Sequence, residues 1–387
     1  MHEFDADVII VGGGPAGLST ALHLVQKRRS WAERMLILEK ASYPREKLCG
    51  GGITLPGLEV LKGLGLALDI PHMDVRKVEL RYLQYRYLLQ SDPAFVVVHR
   101  SEFDHWLARE ARSRGVAILE GETVNQVEVT DAGVWVETQA KRYRAKTLVA
   151  ADGSNSIVRR RLKWGQGQKA RLLETLTPAD PQSAFFKQGL ARFDWSGMQQ
   201  GLQGYIWDFP SLVNGQWMMN RGIFDSRLFT QRPQKPHLPT MLAQHLARQG
   251  VAPNEVNVKG FPIHWWRPGK MLSRPRVLLA GDAAGADPLF GEGIAFALGY
   301  GEVAADCLDA AFSAKDFRFE DYAARVREHW LLRQLQARYA GARLAFGSMR
   351  WPPLVRAMWR TAPWLFRALV AVRPDYFPLT KKRMYRF

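Results

Sequence analysis

Residues 11–17 read Val-Gly-Gly-Gly-Pro-Ala-Gly, directly after the apolar run Asp7–Val11. That run reads as a buried parallel strand, Pro15–Val25 as a helix and Met35–Glu39 as a second strand. Gly12-x-Gly14-x-x-Gly17 therefore sits in the strand–turn–helix context of a dinucleotide-binding βαβ unit. Gly12 makes the tight turn, Gly14 lets the backbone approach a pyrophosphate, and Gly17 permits close helix–strand contact. Pro15 and Ala16 open the helix whose N-terminal donors face the phosphates. Glu39 closes the second strand at the distance expected for accepting from an adenosine ribose, and Lys40 follows it.

Two further segments repeat the strand-then-turn pattern. Thr147–Ala150 leads into Asp152-Gly153-Ser154, continued as Ser156-x-Val158-Arg159. Val277–Ala280 leads into Gly281-Asp282, then Asp287-Pro288 and Gly291-Glu292-Gly293-Ile294 at the start of a long helix. Asp282 is placed to accept from ribityl hydroxyls. The positive end of the helix at Gly291, Gly293 and Ile294 faces a flavin O2 edge and stabilises the anionic reduced ring. All three segments in this order imply an FAD enzyme of the large two-domain flavoprotein superfamily. Arg100, at a strand–helix junction, is a candidate pyrophosphate or flavin contact, and Val124 joins the cofactor set. No second Gly-x-Gly-x-x-Gly follows a strand, so a separate nicotinamide domain is not expected. Electrons are then expected from docked NADPH, a small redox protein or a quinol.

The remaining chain fits a mixed α/β (α+β) fold. Lys77–Tyr82, Tyr85–Leu89 and Phe95–His99 read as strands. Ser101–Arg114 reads as a helix with Ser101 as N-cap and Asp104 in its first turn. Ala117–Leu119, Thr123–Val129 and Val134–Thr138 alternate like strands. A tryptophan-rich sheet region runs from about Ala170 to Phe261, with a helix near Leu238–Arg248, and Ile294–Phe346 reads as largely helical. The expected organisation is a Rossmann-like FAD-binding domain of residues 1–75, 100–165 and 270–310. An interleaved antiparallel-sheet substrate domain takes 76–99 and 166–269, and a helical, basic, aromatic region takes 311–387.

Two more motifs carry a resemblance. Lys47-Leu48-Cys49-Gly50-Gly51-Gly52 resembles the Cys-Gly-Gly segment of geranylgeranyl reductases. Tyr205-Ile206-Trp207-Asp208-Phe209-Pro210 resembles their Tyr-x-Trp-x-Phe-Pro motif; the Trp-x-Trp-x-Ile-Pro expected of flavin halogenases is not met. The resemblance covers about residues 5–310. It implies reduction of isoprenoid double bonds by hydride from reduced flavin N5 plus a proton. An isolated prenyl double bond is not electrophilic, so hydride addition needs a positioned acid and a dry, electron-rich pocket. Cys49, Tyr205 and Trp207 are the catalytic candidates, with Cys49 as acid or pocket wall. Lys47, Gly50 and Gly51 fold over the flavin. Gly52, Tyr205, Trp207, Phe209, Pro210 and Phe290 form the substrate pocket. Trp265 and Trp266 are assigned to core or surface packing rather than to an extension of that pocket, and Cys307 to the core. Two other readings stand beside this one: an FAD monooxygenase or halogenase working through a flavin hydroperoxide, and a non-catalytic FAD protein at a membrane surface.

Composition restricts the setting. With only Cys49 and Cys307, a disulfide framework is not expected, and a reducing cytoplasm fits. No basic-then-apolar leader is seen, no apolar run reaches the roughly 18 residues of a membrane span, and no metal-ligand spacing is found. The formal net charge of +17 points to an anionic partner surface. From Arg343 onward, ten arginines and lysines interleave with aromatics against the single acid Asp375. Trp364–Val372 reads as a short helix there. That composition implies peripheral contact with an anionic bilayer, with a prenyl lipid or prenyl diphosphate as substrate. The flavin motifs exclude a nucleic-acid arm.

Overall fold

The computed structural model describes residues 4–165, 167–231, 234–361 and 383–386. Among the described residues the strands form two sheets, and the chain passes between them repeatedly. In the first, β1 (Ala6–Val11) lies between β2 (Met35–Leu38) and β9 (Arg142–Ala150), parallel to both. Strands β6 (Ala117–Leu119) and β16 (Val277–Leu279) extend it in parallel at the two sides. β7 (Gln126–Thr130), β8 (Gly133–Glu137) and β15 (Ser273–Arg274) add antiparallel flanks. The central strands are largely buried, as expected of parallel strands covered by helices.

The cover is α1 (Pro15–Lys27), α3 (Arg100–Ser113) and the long α7 (Ile294–Ala314). Helices α1 and α7 approach so closely that a Cβ on Gly301 would meet Ser19 within overlap distance. The Ser19 hydroxyl instead donates to the Leu298 carbonyl at 2.7 Å.

The second sheet is mostly antiparallel, in the order β14 (Lys259–His264), β10 (Lys169–Pro178), β13 (Gln216–Asp225), β12 (Gly204–Val213), β11 (Leu190–Asp194), β4 (His72–Tyr82), β5 (Tyr85–Val98). β3 (Gly52–Thr54) and β17 (Arg383–Arg386) both pair with β5. Thus β3 and the start of β4 join the second sheet, although both precede residue 76. α2 (Leu55–Gly63), α4 (Ile157–Arg161), α5 (Ala184–Lys187) and α6 (Leu238–Arg248) connect or cover strands. α8 (Tyr322–Glu328) and α9 (Gln334–Gly347) follow α7.

Two local expectations need correction. Ser101 is not the N-cap of α3: the helix begins one residue earlier, His99 occupies the cap, and no side-chain cap bond forms. Arg100 is drawn into the first turn, where it forks onto Asp104 four residues on, at 2.8 Å through both Nε and Nη2. The two strands expected at Tyr85–Leu89 and Phe95–His99 are also one, β5. β4 and β5 pair on both sides of a register shift between Val75 and Lys77, which loops out residues 91–94 and lets one long strand continue.

Part of the basic, aromatic end packs on the protein itself. Residues 352–361 are helical. Trp359 stacks on Tyr82 at 5.3 Å and on Tyr87 at 6.3 Å between ring centroids. The helix expected at 364–372 lies outside the described residues. Among the described residues no helix is long and apolar enough to cross a membrane.

Candidate active site

Gly12 ends β1 with φ of +104°, a conformation open to glycine at little cost. A Cβ there would overlap the Ala151 carbonyl at the end of β9. On Gly17 a Cβ would overlap the Gly12 carbonyl, so glycine is what lets α1 start against its own strand. No side chain caps the first N–H groups of α1, which follow Pro15, so they remain for a ligand. Glu39 clamps this turn. Its Oε2 accepts from Gly13 N at 2.8 Å and its Oε1 from Ala41 N at 3.0 Å. The Tyr43 hydroxyl donates to the Gly13 carbonyl from the other side.

The other two segments meet this one in space. Asp152 Oδ2 accepts from Val158 N at 3.1 Å, while Oδ1 is buried without a partner. Burial pushes the Asp152 carboxyl above its ordinary value. Asp282 Oδ2 accepts from the Ser154 hydroxyl at 2.9 Å. Helix α7 then begins at Ile294 with Gly293 at its cap and no side chain on its first N–H groups. An FAD needs a pyrophosphate cradle, hydroxyl acceptors and a positive helix end at its ring. The bare helix starts and the orphaned Asp152 oxygen supply these, so the residues present fit the group.

A single cavity of about 1470 Å³ joins this cradle to the second sheet. Small-molecule pockets usually hold roughly 300–1,000 Å³, so there is room for a second ligand beside a dinucleotide. Its far end is walled by Phe95, Phe193, Tyr205, Trp207, Phe209 and Phe224. These rings interlock: Phe193 lies 5.0 Å from both Tyr205 and Phe209, and Phe95 lies 5.4 Å from Phe209, between centroids. The polar ends are occupied elsewhere. Trp207 Nε1 donates to Asn220 Oδ1 at 2.8 Å, and the Tyr205 hydroxyl donates to the Phe290 carbonyl. Burial pushes the Tyr205 phenol well above its ordinary value.

The loop bearing Cys49 separates the two ends. Asn220 Nδ2 donates to the Cys49 carbonyl at 3.2 Å, and Gly50 lies against Phe209 and Trp207. Glu174 Oε1 accepts the Cys49 N–H at 3.0 Å; its Oε2 is buried without a partner. Burial pushes the Cys49 thiol up, Arg100 opposing and Glu174 reinforcing. Burial also pushes Glu174 up to about 7 and Lys47 down to about 8. The Lys47 ammonium lies 3.2 Å from the centroid of the Phe261 ring.

The cavity wall collects Gly12, Gly14, Pro15, Ala16, Glu39, Lys40, Lys47, Cys49, Gly50, Gly51, Gly52, Arg100, Val124, Asp152, Gly153, Gly281, Asp282, Phe290, Gly291, Gly293 and Ile294. Gly17, Pro288 and Pro210 do not reach it. Gly17 acts inside the turn. The Pro288 carbonyl accepts from the Ser226 hydroxyl at 2.7 Å, and Pro210 pairs with Met219 inside the sheet. Trp265, Trp266 and Cys307 are core residues. Sequence reasoning missed Glu174, Asn220 and the Arg338 guanidinium, which bridges Asp287 at 3.3 Å and Glu292 at 3.2 Å. An acid at an inward position of an alternating strand was the available signal for Glu174.

The family model described as FAD binding domain matches residues 5–299. The chain belongs to that family, and fold and site together define an FAD-dependent oxidoreductase. Among known proteins it is 27% identical over 361 residues to digeranylgeranylglycerophospholipid reductase 1 of Methanothermobacter thermautotrophicus, covering 84% of this chain and 83% of that one. A solved geranylgeranyl bacteriochlorophyll reductase-like protein from Thermoplasma acidophilum superposes with a TM-score of 0.71 at 21% identity, covering 89% of each chain. The halogenase PltM superposes at 0.67 and 16% identity, covering 95% of this chain and 82% of that one. The two superpositions establish the fold alone.

Proposed function

We propose that this protein saturates carbon–carbon double bonds of a prenyl chain. The carrying observation is the continuity of the dinucleotide cradle with an aromatic pocket across the Cys49 loop. Similarity to a digeranylgeranylglycerophospholipid reductase supports the choice of substrate. FAD, once reduced, supplies the hydride; a proton completes the addition, so one double bond takes up two electrons and two hydrogens. The chain's own residues do the rest. The interlocked rings exclude water and hold the prenyl chain. Their faces stabilise positive charge that develops on a protonated alkene carbon. The Cys49 thiol, kept protonated by burial, stands at the junction as proton donor. Tyr205 and Trp207 have committed their O–H and N–H, so they act through their rings.

The electron donor in this reading is NADPH or a small redox protein. Helix α9 ties the site to a lipid surface. Gln334, Ala337 and Arg338 line the cavity. Further on, Leu344, Trp351 and Leu354 are exposed beside Arg350 and Arg356. Such a face suits the interface of an anionic bilayer, and sedimentation with anionic against neutral vesicles tests it.

The reaction is tested by reducing the FAD-loaded protein anaerobically and adding geranylgeranyl diphosphate. Products heavier by two hydrogens per reduced bond, with matching flavin reoxidation, are expected. Oxygen uptake stimulated by an aromatic substrate, with no saturated product, replaces this reading with a monooxygenase. A flavin that resists dithionite or never turns over replaces it with a non-catalytic role.

A further inference from the structure

A second recess of about 230 Å³ adjoins the main cavity. Ser154, Ser156, Arg159, Arg160, Lys163 and Lys169 line it, and Asn155 and Arg160 also line the main cavity. Gly167 forms another part of the wall, where a Cβ would come within 2.8 Å of Lys270 Nζ. Arg159 is buried. Its Nη2 donates to the Gly165 carbonyl at 2.8 Å and its Nη1 lies 3.1 Å from the His264 ring, but its Nε has no partner. Lys169 Nζ donates to Asn155 Oδ1 at 2.7 Å. Lys270 Nζ lies 2.7 Å from His264 Nε2, and His264 Nδ1 lies 2.9 Å from the Asp282 carbonyl. Neutral His264, donating from Nδ1 and accepting at Nε2, satisfies both contacts.

Charge in this recess is one-sided. Among the described residues, none of Arg159, Arg160, Lys163, Lys169 and Lys270 has a carboxylate within ion-pair distance. Asp152 is the acid whose field reaches Arg159. Burial, then Arg159 and Arg267, pushes Lys270 down to about 7. Burial, then Lys270 and Arg159, pushes His264 down to about 3. Cations gathered without counter-charge stabilise an anion with several acceptor oxygens, and a guanidinium with lysines around it matches phosphate. A recess this small takes a head group, and a larger ligand must continue past Asn155 and Arg160 into the main cavity.

We propose that this recess binds the phosphate of a ligand whose other end works in the main cavity. Two sources share that chemistry: the 2′-phosphate of a phosphorylated nicotinamide reductant and the diphosphate of a prenyl substrate. The binding site itself does not depend on the prenyl reading.

The test begins with inorganic pyrophosphate titrated calorimetrically into FAD-loaded protein, where FAD already fills its own pyrophosphate cradle. Saturable binding is expected. Lys163 and Lys169 reach the surface, so the double variant Lys163→Ala/Lys169→Ala should fold and retain FAD. It should bind pyrophosphate at least roughly tenfold more weakly, as lost charged hydrogen bonds imply. The second stage compares the wild type and the double variant for binding of NADPH against NADH, and of geranylgeranyl diphosphate against geranylgeraniol. A loss confined to NADPH assigns the recess to the reductant; a loss confined to the diphosphate assigns it to the substrate. No pyrophosphate binding, or equal binding by the variant, overturns the site. Lost pyrophosphate binding with neither larger ligand affected overturns its link to the main cavity. Failure of prenyl reduction alone would leave the pyrophosphate result standing.

Discussion

Replacing Glu174 with glutamine should make the protein more stable at neutral pH and leave it little changed in acid. Glu174 is 6% exposed, and its Oε2 has no partner. Burial raises its carboxyl from the ordinary 4.5 to about 7. The folded chain therefore holds a proton that the unfolded chain has released between those values. Stability falls as pH rises through that window, and the loss is complete above about 7. A shift of that size corresponds to roughly 3 kcal/mol, at 1.36 kcal/mol per unit. Glutamine keeps an oxygen for the Cys49 N–H, so the loop stays anchored, and its amide does not ionise. Denaturant unfolding of wild type and Glu174→Gln, from about pH 4.5 to about pH 8, gives the difference in stability at each pH. Groups common to both proteins cancel in that difference. It should grow in favour of the variant by about 3 kcal/mol across the range. A difference that stays flat with pH refutes a proton held on Glu174.

Gly12→Ala should fold but purify without flavin, because the new Cβ overlaps the Ala151 carbonyl at a positive φ; the ratio of flavin to protein absorbance reads this. Gly222→Ala should push the Trp207 ring, which a Cβ there overlaps, and lower stability by about 1–3 kcal/mol. Tryptophan fluorescence and a denaturant midpoint check it, and unchanged values would place the ring elsewhere. Trp359→Ala removes the stack on Tyr82 and Tyr87. Limited proteolysis should then cut the C-terminal segment faster while flavin content stays the same.

The cofactor cradle was legible because its chemistry is local. Three short segments each place glycine or aspartate directly after a buried strand, and strand and turn stand side by side in the sequence. The Tyr205–Pro210 motif was legible only as a likeness. Alternation along β12 turns Tyr205, Trp207 and Phe209 to the cavity but leaves Pro210 within the sheet. What stayed hidden depends on pairing between distant strands. Glu174 looks like any acid in a strand until β10 sets it beside Cys49. The cationic recess needs α4 and β14 together before Arg159, His264 and Lys270 meet. Tyr85–Leu89 and Phe95–His99 read as two strands, yet β4 pairs with both, on either side of a register shift.

The walls of the main cavity run from Val11 to Arg338 along the chain, and this bears on how the protein is made. At roughly 5–20 residues per second of synthesis, the Gly12 turn leaves the ribosome tens of seconds before Asp282 and α7. During that interval the nascent first sheet lacks β16 and the helix that covers α1, and its apolar surface stands open. Cofactor capture must then come late, as a closing event that locks the two ends of the chain together. Flavin starvation should act on newly made chains far more than on the mature pool, and chaperone dependence should ease as free FAD rises.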